Sequence, residues 1–129
     1  MAAPLTGRIE YDDLTAFTRA VLDMNAPSPW MRMCAGEHGR TQRVWIERAN
    51  GRVFARSTVT SHCTPTSLMS TQDGLPAGVV ARRGPGGELL VQVEVGTSWG
   101  PARVSEHLSW FAQVADRLDW SLNGGADAH

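Results

Sequence analysis

The sequence has no lysine: all 12 basic residues are arginine, a trait of coding composition that assigns no function. Charge of either sign is sparse, at 19% of residues, and the formal balance is −1. That balance removes the strongest reason to expect a general nucleic-acid or membrane-surface binder. No apolar run approaches the roughly 18 residues of a membrane span. The segment from Met1 to Glu10 has no basic stretch leading into an apolar one, so no signal peptide is expected. Cysteine is limited to Cys34 and Cys63, and two cysteines without an export signal are expected as free thiols of a cytoplasmic protein. Catalytic signatures are missing as well. There is no Gly-x-Ser-x-Gly, no His-Glu-x-x-His, and no glycine loop running from strand into helix to cradle a phosphate.

What is present is a foldable pattern. The 129 residues are 42% hydrophobic, enough for the core of one domain and too many for wholesale disorder. From Tyr11 to Met24, the apolar residues Leu14, Phe17, Val21 and Met24 recur at helical spacing, with Asp12 and Asp13 in the favourable first turn. Pro27 and Pro29 end that helix. The period then becomes two. Trp30 to Cys34 reads as a short strand. Arg40 to Glu47 and Arg52 to Val59 flank Asn50-Gly51, a strong hairpin signal. A two-residue loop places Arg48 opposite Val53, Ile46 opposite Ala55 and Val44 opposite Ser57 on a small, apolar core face. The other face pairs Glu47 with Phe54, Trp45 with Arg56 and Arg43 with Thr58.

Thr64-Pro65 can cap a short helix within the polar stretch from Thr60 to Ala77. A second hairpin, Gly78 to Arg83 with Glu88 to Val95, turns at Gly84-Pro-Gly-Gly87. Val104, Leu108, Phe111, Ala115, Leu118 and Leu122 form one apolar stripe of a final helix that Asn123-Gly124-Gly125 ends. The expectation is a single α+β domain over residues 1–129, with an ordered core of about 10–123 and a frayed tail. Its sheet should be largely antiparallel and five-stranded, with the N- and C-terminal helices on one face (α-β-β-β-(α)-β-β-α).

Three clusters hold chemically capable residues. His62-Cys63 begins like the Cys-x5-Arg loop of cysteine phosphatases, but Met69 stands where the phosphate-gripping arginine belongs. Cys34, His38, His62 and Cys63 are zinc-ligand types, yet the adjacent pair lacks ligand spacing, so no metal is expected. Ser105, Glu106 and His107 are consecutive on a helix and point in different directions, which excludes a triad among themselves. No catalytic residue is assigned. A small enzyme or ligand-binding protein using the His62 and Cys63 loop stays as an alternative.

Two surfaces suit a partner. Trp45 and Phe54, beside Arg43, Arg52 and Arg56, combine residue types enriched at interface hot spots. The plainer reading is a solvated face with a cross-strand cation–π pair between Arg56 and Trp45. An RNA-binding module is a further alternative, disfavoured by the charge balance and the missing ribonucleoprotein signature. On the last helix Trp110 lies about 100° from the apolar stripe and Trp120 nearly opposite it. Trp110, Val114 and Trp120 are therefore read as a dimer or second contact, unless the loop from Thr60 to Ala77 covers the tryptophans.

The order of elements resembles the type III secretion chaperone-like fold shared by Tir-type effector chaperones and the YbjN group. The resemblance rests on the helix from Leu14 to Met24 and the three strands to Val59. It continues through the short helix after Thr64-Pro65, the strand Leu89-Leu-Val-Gln-Val-Glu-Val95, and the closing helix from Ser105 to Leu122 with its late Trp120. It implies a small homodimer without a cofactor or active site that holds a segment of a protein partner. The secretion chaperones are strongly acidic and this chain is not, which shifts the expectation toward a YbjN-like regulatory or another adaptor role.

Overall fold

The computed structural model describes residues 7–36 and 39–123; the expected frayed tail and His38 lie outside them. The chain enters through a strand that periodicity does not reveal, β1 (Ile9–Tyr11). Asp13 then caps α1 (Leu14–Leu22), its carboxylate accepting the Ala16 amide at 2.9 Å. The helix is thus shorter than the Tyr11 to Met24 expectation. Tyr11 belongs to the strand and packs beside Phe17, while Met24 is exposed beyond the cap at Asp23.

β2 (Pro29–Cys34) pairs in parallel with β1 and antiparallel with β3 (Thr41–Ala49). Asn50 and Gly51 take φ of 54° and 75°, the left-handed pair that a tight hairpin requires. That turn sets β4 (Arg52–Thr60) in the expected register, with Ile46 opposite Ala55 and Arg48 opposite Val53. Thr64 and Ser67 form a reciprocal capping box at the start of α2 (Pro65–Asp73). The second hairpin joins β5 (Val80–Arg83) to β6 (Leu89–Val95). α3 (Pro101–Leu122) closes the described chain, starting four residues before Ser105 because Pro101 suits a first helical turn.

The fold is α+β, and the sheet is mixed and six-stranded in the order β1-β2-β3-β4-β6-β5. The five-stranded expectation is corrected by one short parallel edge strand. α1 and α3 pack on one face, where Phe17, Val44, Ile46, Val91, Leu108 and Phe111 are sealed in the core. The inner side of α3 is rotated from the expected stripe toward Ala112, Asp116 and Asp119, leaving Leu122 exposed. Asn123 secures that end, its amide donating to Val59 O at 2.8 Å and to Asp119 Oδ1 at 2.6 Å. Among the described residues no helix is long and apolar enough to cross a membrane.

Candidate functional site

Strand alternation sends Trp30, Arg32, Arg43, Trp45, Phe54 and Arg56 to the sheet face away from α1 and α3. Trp45 on that face is only 3% exposed, flanked across the strands by Trp30 and Arg56. The expectation of Trp45 as an exposed anchor is therefore corrected: a large ring in the middle of a sheet is covered by the long side chains around it. Phe54 is half-buried beneath the Arg52 guanidinium, 5.1 Å from its ring centre. Arg52 forks onto Glu94 at 2.6 and 3.1 Å, which holds the Glu94 carboxyl below the usual range. Arg56 donates to Gln92 Oε1 at 3.0 Å instead of making a cation–π contact with Trp45. Burial lowers the Arg56 pKa; Glu47 opposes that shift, and Arg82 and Arg8 reinforce it.

On α3 the outcome differs. Trp110 and Trp120 are 38% and 50% exposed, so the polar loop does not cover them. Both lie on one outward stripe, Arg103, Glu106, Trp110, Gln113, Arg117 and Trp120, spaced by threes and fours. Val114 is 6% exposed and turns inward, which removes it from the expected contact set.

The lower half of this stripe borders a cleft of about 590 Å3 lined by Ala35, Gly36, Arg40, Gln113, Asp116, Arg117 and Trp120. Asp116 is buried and accepts a two-pronged bond from Arg40, at 3.2 Å to Oδ1 and 2.6 Å to Oδ2. The Arg40 guanidinium also stacks on Trp120, 4.3 Å from the ring centre. Gly36 at the rim leaves the room that the ion pair occupies, since a Cβ there would collide with Asp116 Oδ2 and crowd Arg40, displacing the pair. The cleft thus offers an aromatic wall, the Arg40–Asp116 ion pair, and the exposed polar tips of Gln113 and Arg117. Such a site accepts a side chain with an apolar body and a polar end.

Sequence reasoning found Trp120 and missed Gly36, Arg40 and Asp116. The available signal was two aspartates, Asp116 and Asp119, beside the apolar stripe of a helix, where a buried carboxylate demands a partner.

The other candidates are dispersed. His107 lies between Trp99 (4.9 Å, edge-on) and Trp110 (5.6 Å, stacked), and its Nε2 donates to Glu94 O at 3.1 Å. Its bond is to the sheet and not to Ser105 or Glu106. Arg103 completes the row, 4.1 Å from the Trp99 ring centre. Cys34 is exposed and Cys63 buried, both free, and His62 is exposed. No group of three or more metal-ligating side chains occurs among the described residues. Comparison with protein-family models, curated proteins and solved structures finds no match.

Proposed function

We propose that this chain is a non-enzymatic, chaperone-like or adaptor protein of the cytoplasm, a homodimer that binds a segment of a partner polypeptide along the outward face of α3. One observation carries the reading: Trp110 and Trp120 share an exposed stripe, and Trp120 forms the wall of a cleft. Ten residues of helix separate them by about 15 Å, the span of a short peptide segment. Tryptophan and arginine are the side chains that contribute most when an interface closes over them. Both occur here, Arg40 stacked on Trp120 and Arg103 at the head of the row ending in Trp110. The element order, which resembles that of the secretion chaperone-like and YbjN proteins, supports the same reading. Outward anchors replace Trp45 and Val114, whose burial assigns them to packing.

The test compares wild type with a Trp110→Ala/Trp120→Ala double variant. Partners are captured from the native host and identified by mass spectrometry, and light scattering is run on the eluates. The expected result is at least about tenfold loss of one specific partner, with an unfolding temperature close to wild type. Trp45→Ala serves as the folding control, since emptying a buried indole site costs about 3–5 kcal/mol. Unchanged capture by the double variant overturns the reading.

A further inference from the structure

The sheet face opposite the helices carries Arg8, Arg32, Arg43, Arg52, Arg56 and Arg82 against Glu10, Glu47, Glu94 and, at the hairpin end beside Gly84, Glu88. Six arginines against four glutamates leave a local positive excess on a chain whose formal charge is −1. Two of these arginines hold carboxylates on the same face: Arg8 holds Glu47, and Arg52 holds Glu94. The remaining four are served differently. Arg56 and Arg82 converge on a single neutral acceptor, Gln92 Oε1, at 3.0 and 3.4 Å. Arg32 and Arg43 stand directly opposite each other across β2 and β3. Neither has a side-chain hydrogen bond or ion pair among the described residues, and Arg43 Nε is buried without an acceptor.

Like charges directly opposite in an antiparallel pair are destabilising, and a buried donor without an acceptor adds its own cost. Something negative settling between the two forks would offset both costs at once. We propose that Arg32 and Arg43, with Arg56 and Arg82 beside them, form a docking site for an acidic polypeptide segment whose carboxylates lie between the guanidinium groups. The planar fork of arginine matches a carboxylate, as the Arg52–Glu94 pair on the same face demonstrates. Nucleic acid fits less well. Of the aromatics on this face, Trp45 is closed by burial, Phe54 lies under the Arg52 guanidinium, and Trp30 is half-buried, which leaves little ring surface for bases to stack on. This site lies on the sheet and does not depend on the reading of α3.

The experiment is fluorescence anisotropy of the full chain at low ionic strength with two labelled probes, a glutamate-rich decapeptide and an oligouridylate of equal length. Variants are Arg32→Gln, Arg43→Gln and the double; Arg19→Gln on α1 is the surface control. The proposal expects peptide binding that weakens at least about tenfold in the double variant and is unchanged in the control. It also expects Arg32→Gln to raise the unfolding temperature at low salt, an effect that fades as salt screens the repulsion. Three results overturn it: no peptide binding, peptide affinity indifferent to Arg32 and Arg43, or tighter binding of the oligouridylate. A lower unfolding temperature for Arg32→Gln contradicts the repulsion on which it stands.

Discussion

Trp45 and Trp120 show how neighbours decide the fate of one residue type. Trp45 has a strand on each side and is covered; Trp120, on the back of a helix with Arg40 stacked on its ring, stays half exposed. Helical spacing made Trp110 and Trp120 legible as off-stripe residues, whereas strand alternation alone could not tell that the outer face would close over Trp45. His107 shows the same dependence on surroundings in its titration. Burial lowers its pKa; the hydrogen bond to the Glu94 backbone opposes the shift and the nearby Arg103 charge reinforces it. The folded chain therefore favours the neutral ring, while the unfolded chain takes up its proton near pH 6.5 or so. The stability contributed by the neutral ring is complete above that value and is lost as pH falls toward the depressed folded one. Between about pH 7 and 5, the unfolding temperature of wild type should fall more steeply than that of His107→Gln. Parallel curves would show that the ring titrates as it does in water.

At the scale of elements, the hairpin at Asn50-Gly51 was readable because both turn positions demand positive φ and the loop length fixes the register. β1 was not readable. Three residues carry too little alternation, and its partner β2 lies beyond a whole helix. The cleft was hidden for a related reason, since Arg40 and Asp116 are 76 positions apart and meet only when α3 lies across the sheet. Arg48 illustrates a contact between elements that a core-facing strand position conceals. Its guanidinium donates to Ala26 O at 2.6 Å, Ala20 O at 2.7 Å and Asp23 O at 3.0 Å, satisfying carbonyls at and just past the end of α1. Arg48→Met keeps much of the stem and removes those bonds. A destabilisation of about 2 kcal/mol is expected, read as a lower urea midpoint at unchanged slope. A midpoint equal to wild type would show that water serves those carbonyls as well.

For the molecule as a whole, the sheet divides the labour. One face, with α1 and α3, holds the core; the opposite face gathers arginine; and the back of α3 presents two tryptophans and a cleft. α+β class, hairpin register and the two outward indoles were legible because each follows from local spacing. The mixed sheet and the cleft arise from residues distant in sequence, and the facing arginines from the register between β2 and β3, which the sequence pattern between those strands does not fix. The central claim is that the outward stripe of α3 is where a partner polypeptide sits. Its most direct test is photocrosslinking in the native host, with a benzophenone amino acid in place of Trp110, of Trp120, or of the exposed Thr15 on α1. The account predicts one common adduct from positions 110 and 120 and none from position 15. Adducts absent from both α3 positions, or equally strong from position 15, would contradict it.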